Sequence, residues 1–182
     1  QVTNLEQSFR DVESFDENIG KVLLLRLKTI RKRHGELYEY LERAIQGLNE
    51  PDLGLVFSRK IRNSALSIIW SFELDEEEKI PKDVADYWLG RVNETWDIFG
   101  DIKNRTIPQT ASDQLRLLDW LTGTHTFKKM SKCLSKSTLV ALNHIHELGN
   151  YDNHAPEGEP RSMMFGASHC LSALTILENL TE

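Results

Sequence analysis

The stretch KVLLLRLKTIRKRHGELYEYLERAIQGL at residues 21–48 gives the clearest indication of the fold. Its apolar positions recur three, four or seven residues apart, which places them on one side of an α-helix, while charged residues fill the other side. The positions of this apolar stripe are Leu23, Leu27, Ile30, Leu37, Leu41, Ile45 and Leu48. The spacing therefore predicts one long amphipathic helix that buries a single face.

The sequence on both sides of this stretch also has helical patterns. Upstream, Thr3 and Glu6 have the Ser/Thr-x-x-Glu spacing in which two side chains cap the first turn of a helix. We predict that a helix begins there and ends or bends at Gly20. Downstream, Pro51 lies in an Asn-Glu-Pro-Asp turn that cannot continue the helical hydrogen bonds. A second long helix is predicted over residues 53–72.

The remaining sequence predicts shorter helices separated by loops. The acidic run at residues 75–78, followed by Pro81, indicates a solvated loop in preference to an acidic binding site. Residues 84–99 keep helical spacing, with Asp83 as a cap, and residues 100–110 are predicted to be a connector. Further helices are predicted over residues 112–121, 124–134, 138–148 and 162–180. Because no useful run alternates apolar and polar residues, we expect an all-α helical bundle of long amphipathic helices with shorter C-terminal helices.

Composition narrows the class of protein. The chain has 182 residues, 40% apolar and 27% charged, which is typical of one globular domain and too apolar for a disordered chain. No stretch approaches the roughly 20 apolar residues of a membrane span, and none has the pattern of a signal peptide. The two cysteines, Cys133 and Cys170, exclude a disulfide scaffold. We expect a single cytoplasmic domain over residues 1–182, without membrane association.

The charge balance limits how nucleic acid could bind. The net charge is −6, from 28 acidic and 22 basic residues, so only a local basic patch could attract nucleic acid. One patch contains Lys28 and the run from Arg31 to His34, and the other is a stripe of lysines at helical spacing. Either patch could contact phosphates, and either could instead be a solvated helix face. The candidate nucleic-acid-binding residues of the stripe are Lys128, Lys129, Lys132 and Lys136.

The most informative motif lies in TLVALNHIHELGNYDNH at residues 138–154. Gly149 can adopt the left-handed conformation that closes a helix, and Asn150 can start the next turn. His154 follows about one turn later, so polar side chains are predicted to converge at a corner between two helices. The helix before this corner is predicted from a stripe formed by Leu142, Ile145 and Leu148.

Gly149, Asn150 and His154 resemble the Gly-Asn-x-x-x-His signature of the HEPN superfamily, especially its DUF4145-like branch. The resemblance covers residues 142–154, and residues 53–66 look like the helix that commonly precedes this motif. It implies a small helical bundle and a homodimer with a cleft between the two copies. It also implies a role in a larger assembly of a prokaryotic defence or stress system, with RNA or a protein as partner.

Ribonucleases of this superfamily carry an Arg-x4-6-His motif. The histidine handles a proton, and the arginine stabilises the charge that develops on the phosphorane. In this sequence Gly149 occupies the arginine position, so we expect a binding or assembly module without strong catalysis. The alternative is a metal-independent endoribonuclease that works as a dimer, with His154 and Asn150 as catalytic residues. Candidates for its missing cation are Arg59, Arg62 and Arg161.

Other residues near the C-terminal end allow different chemistry. His144 and His146 are two residues apart, which places them on nearly opposite helix faces, whereas a compact zinc site prefers a spacing of three or four. Cys170 lies on an apolar stripe, so core packing is favoured over a nucleophilic role. We therefore expect no metal and no cofactor. Four tryptophans are expected in the core in preference to base stacking, namely Trp70, Trp88, Trp96 and Trp120.

Overall fold

The computed structural model describes residues 18–48, 54–122, 134–154 and 166–181. These residues form helices joined by turns and include no β-strand. In chain order the helices are α1 (described over residues 18–29), α2 (Gly35–Gln46), α3 (Gly54–Glu73), α4 (Lys82–Leu89), α5 (Ile98–Asn104), α6 (Ala111–Thr122), α7 (Lys136–His154) and α8 (Ala167–Thr181). The predicted all-α fold is confirmed.

The centre of the bundle is formed by α3, α7 and α8. Helix α7 packs against both α3 and α8, and α2 contacts these last two helices as well. Helix α6 lies against α7 and the edge of α3, whereas α4 and α5 pack mainly on each other. The shared core contains Ile61, Ala65 and Ile69 of α3 and Leu142, Ile145 and Leu148 of α7, all of them buried as predicted. Full burial of one such leucine or isoleucine side chain stabilises the fold by about 1.5–3 kcal/mol, so this stripe determines which face of α7 points inward.

The single helix predicted over residues 21–48 is wrong. The chain leaves the helical conformation at residues 30–34, and α1 and α2 lie on either side of this turn. Within the turn, Arg33 donates from Nη1 to the carbonyl oxygen of Thr181 at 3.0 Å. His34 donates from Nε2 to the carbonyl oxygen of Leu180 at 2.9 Å. Because the last four carbonyls of a helix have no partner inside it, the turn supplies donors to two of these carbonyls in α8.

The helix predicted over residues 84–99 is also wrong. Helix α4 ends at Leu89, and α5 covers Ile98–Asn104. Residues 100–104 are therefore helical, although the sequence predicts a connector over residues 100–110. Between them, Asn93 accepts at Oδ1 from the backbone N–H of Thr95 at 3.0 Å, which is a turn that asparagine favours. Val92 lies in the turn between α4 and α5 and is nevertheless buried, which explains why it matches the apolar spacing of a helix. Asp83 lies in the first turn of α4 and does not cap the helix with its side chain.

The other predicted elements have mixed outcomes. The helices over residues 53–72 and 112–121 are confirmed as α3 and α6, whereas α1 continues through Gly20 without ending there. Two predictions lie outside the described residues. They are the cap at Thr3 and Glu6 and the helix over residues 124–134, of which only residue 134 is described. The described part of the last predicted helix is α8.

The acidic run at residues 75–78 forms the predicted loop. Asp75 Oδ1 accepts from the backbone N–H groups of Glu77 and Lys79 at 2.9 and 3.0 Å. Arg105 forms an ion pair with Asp75 and also donates to the carbonyl oxygen of Ile80 at 2.7 Å. The acidic residue that begins the run therefore organises the loop.

Across the described part of the chain, no helix combines the length and apolarity that a membrane span requires.

Candidate functional site

Helix α7 runs without interruption from Lys136 to His154 and includes both Gly149 and Asn150. The predicted corner between two helices is therefore wrong. Glycine inside a helix costs about 1 kcal/mol relative to alanine, which is less than the gain from burying one leucine of the α7 stripe. Asn150 and His154 are four residues apart in one helix, so their positions are separated by about one turn. Their side chains lie outside the part of the chain that the structure describes.

The predicted nucleic-acid-binding lysines are only partly within the described residues. Lys136 is exposed and is the first residue of α7. Lys128, Lys129 and Lys132 lie outside the described residues, as does Arg161.

Three helices bring Arg62, Ser112 and His146 together. Arg62 of α3 donates from Nη1 to Nδ1 of His146 on α7 at 3.0 Å. It also donates from Nε to Oδ1 of its neighbour Asn63 at 3.0 Å. On the other side of the imidazole, Nε2 lies 3.1 Å from Oγ of Ser112 on α6. Since Nδ1 accepts from the guanidinium, the neutral ring carries its proton on Nε2 and donates it to the serine.

The surroundings of His146 favour this neutral form. The residue is 9% exposed, and burial, followed by the positive charge of Arg62, lowers its pKa. The imidazole is therefore uncharged near neutral pH. Burial also lowers the pKa of Arg62, and the like charge of Arg59 lowers it further.

A groove of about 520 Å³ lies between α3 and the segment that leads into α6. Arg62 stands at its wall, and the described residues that line it include no aspartate or glutamate. Trp70 is buried beneath it and donates from Nε1 to Oε1 of Gln114 at 3.0 Å. The Gln114 amide in turn donates to the carbonyl oxygen of Pro108 at 2.7 Å, which holds this wall in place.

A second depression, of about 470 Å³, lies beside the turn between α1 and α2. Its lining combines Arg31 and Arg33 with residues of the last turns of α8. The carboxylate of Glu178 is engaged by Arg26, whose Nε and Nη2 donate to its two oxygens at 2.9 and 2.7 Å. Among the described residues, no carboxylate forms an ion pair with the exposed Lys28 or Arg31.

The histidines at 144 and 146 point in different directions, as their spacing predicts. His146 reaches α3 and α6, whereas His144 stacks on His169 of α8 with ring centroids 4.5 Å apart and has Nδ1 2.9 Å from Oγ of Ser172. No three metal-binding side chains gather at any point of the described segments. Cys170 is fully buried, as predicted, and burial raises the pKa of its thiol to about 12, which disfavours a nucleophilic thiolate.

The tryptophans only partly follow the prediction. Trp70 and Trp88 are buried, but Trp96 is 41% exposed. The Trp96 ring lies 5.9 Å from that of Trp120, which is partly buried. Trp96 lies between α4 and α5, outside both helices. Because the long helix predicted over this region does not form, the Trp96 side chain is turned toward solvent.

No protein-family model, curated protein or solved structure matches this chain. The site must therefore be interpreted from its own chemistry. Sequence reasoning named Arg62 as a possible cation, but it missed Ser112 and assigned no role to His146. Spacing along α7 could show only that His146 faces away from His144.

Proposed function

We propose that this chain is a HEPN-like helical domain that binds RNA as a module, without strong catalysis of its own, in a prokaryotic defence or stress system. The motif at residues 138–154 and the all-α bundle support the family resemblance. The observation that carries the RNA-binding proposal is the pair of exposed cations Lys28 and Arg31 beside the depression at the α1–α2 turn, neither of which forms an ion pair with a carboxylate of the described residues.

The turn between α1 and α2 at residues 30–34, here called the basic turn, is held against the bundle. Arg33 is anchored to the carbonyl oxygen of Thr181, and the Lys32 ammonium lies 4.6 Å from the centroid of the Tyr38 ring. These contacts hold the turn that carries Arg31, and Lys28 is exposed in the last turn of α1 just before it, so both cations are available to phosphates. Phosphate contacts from lysine and arginine supply the electrostatic part of the affinity for single-stranded RNA, which does not depend on the base sequence.

Polar groups of α7 lie close to the same depression. Asn179, which lines it, donates from Nδ2 to hydroxyl oxygens of Ser137 and Thr138 at 3.1 and 2.8 Å. Lys136 belongs to this first turn of α7 and is exposed. One lysine of the predicted stripe is therefore at the same end of the bundle as the basic turn, which extends the positive surface.

The test is fluorescence anisotropy with a short labelled oligouridylate at several salt concentrations. The variant Lys28→Gln/Arg31→Gln should bind more weakly, and the slope of log K against log[salt] should fall by about 1.4, because each lost contact to a single strand contributes about 0.7. The matched control is Lys82→Gln/Lys103→Gln, which changes the net charge of −6 by the same two units at exposed lysines of α4 and α5. Equal losses in both variants, or no binding by the wild-type chain, would contradict the proposal.

Strong ribonuclease activity through His154 is the alternative function, and the position of Arg62 argues against this arginine as the missing cation within one copy. Arg62 is bound to His146, and eight residues, or about 12 Å along α7, separate His146 from His154. An arginine held at that distance does not stabilise a phosphorane beside His154. A dimer that joins two motifs could supply a cation from the second copy. If the chain forms this dimer, light scattering should give a mass of twice 21.0 kDa. A 21.0 kDa species at high concentration would exclude the dimer.

A further inference from the structure

Arg62 is a partly buried cation that lacks a carboxylate partner among the described residues. Its identified hydrogen bonds go to two neutral groups, the imidazole of His146 and the amide of Asn63. These bonds satisfy donor hydrogens but do not neutralise the charge. Because taking an unpaired charge out of water is costly, such an arginine is well suited to bind an anion.

The guanidinium is also held in one orientation. His146 accepts from it and is itself held by Ser112, so α3, α6 and α7 all contribute to its position. A neutral imidazole does not compete with an incoming anion for the arginine charge. A group that is positioned before binding loses little conformational freedom when the ligand arrives.

The groove beside Arg62 combines one charge with neutral polar and apolar walls. Asn63 and Gln109 offer amide groups, and Leu66, Leu74 and Ile107 offer apolar surface. Helix α6 begins at this groove with Ala111, so its positive N-terminal end adds to the charge of Arg62, although Asp113 in the first turn reduces this contribution.

The nearest acidic residue of α6 does not occupy this groove. Asp113 lines a different depression, beside Trp96, and its Oδ2 accepts from the hydroxyl of Thr110 at 2.6 Å. Among the lining residues that the structure describes, Arg62 is the one charged side chain in the groove.

We propose that this groove binds a small ligand with an oxyanion head group, a carboxylate or a phosphate, and an apolar body. The head group pairs with Arg62, and the body lies on Leu66, Leu74 and Ile107. The volume of about 520 Å³ falls within the roughly 300–1,000 Å³ of small-molecule sites. This groove is separate from the proposed RNA-binding surface at the α1–α2 turn. Thr138 contacts Asn179 in the wall of the depression at that turn, and His146 lies about 12 Å farther along α7.

The first test follows the indole N–H signals of the wild-type chain by NMR. The Trp70 N–H donates to Gln114 at the groove, whereas Trp96 lies at a different depression and serves as the internal control. We expect benzoate or phenyl phosphate to shift the Trp70 signal saturably and to leave the Trp96 signal unchanged. A response to benzoate alone identifies a carboxylate ligand, and a response to phenyl phosphate alone identifies a phosphate ligand. Inorganic phosphate should bind more weakly than phenyl phosphate because it has no apolar body, and equal affinity would overturn that part of the proposal.

The second test removes the cation. Arg62→Gln should weaken binding of the better probe by at least about tenfold, as expected for the loss of a hydrogen bond to a charged group. Lys60→Gln is the matched control, since it removes the same charge from α3 on the side where Lys60 lies 5.2 Å from the Tyr40 ring of α2. If Arg62→Gln does not fold, Arg62→Lys should still weaken binding, because an ammonium group cannot form the planar fork of a guanidinium.

Two results would overturn the proposal. One is the absence of a saturable Trp70 shift with every probe at millimolar concentration, and the other is an equal loss of affinity in Arg62→Gln and Lys60→Gln. Neither result bears on RNA binding, which the anisotropy experiment tests at other residues.

Discussion

Replacing His146 with alanine should destabilise the fold by about 2–3 kcal/mol. The variant loses a bond to the charged Arg62, worth about 1.5–3 kcal/mol, and a neutral bond to Ser112, worth about 0.5–1.5 kcal/mol. The sum is reduced because Ser112 is exposed and Arg62 only partly buried, so water replaces some of the lost contacts. For a chain of 182 residues this corresponds to a fall in Tm of about 5–10 °C.

The measurement is urea denaturation followed by tryptophan fluorescence, with a double-mutant cycle. Arg62→Ala, His146→Ala and the double variant together report the coupling between the two side chains, which should be about 1–2 kcal/mol. His144→Ala is the control on the same helix, and its effect should not depend on Arg62 because His144 contacts Ser172 and His169. A coupling near zero would refute the inference that Arg62 and His146 are bonded in solution.

Three further predictions concern pH, helix continuity and cleavage. The folded-state pKa of His146 lies below its ordinary value of 6.5, so the unfolded chain binds more protons between the two values and the wild type should lose stability as pH falls below about 6.5. Urea unfolding at several pH values should show a smaller loss over this window for His146→Ala. Gly149→Ala should stabilise the chain by up to about 1 kcal/mol in thermal unfolding if α7 is continuous, whereas a decrease would indicate a left-handed glycine there. Cleavage of single-stranded RNA without metal should be weak, since lack of one electrostatic group costs about 10²–10³ in rate, and robust cleavage abolished by His154→Ala in a folded variant would contradict the module proposal.

The elements predicted best are those determined by local spacing. The apolar period of residues 53–72 predicts α3 to within one residue at each end, and the stripe at Leu142, Ile145 and Leu148 predicts the buried face of α7. A helical period depends only on residues a few positions apart, so it is visible without knowledge of the rest of the chain.

The sequence by itself therefore determined the all-α class, the buried faces of α3 and α7, and the presence of a basic segment near Arg31. Only the tertiary structure decided that α1 and α2 separate, because the turn at Arg33 is held by a carbonyl group 148 residues away. The same is true of the cluster around His146, whose bonds to Arg62 and Ser112 span 84 and 34 residues. These contacts form when three helices pack on a common core, and side chains so far apart in the chain leave no periodic signal from which their proximity could be predicted.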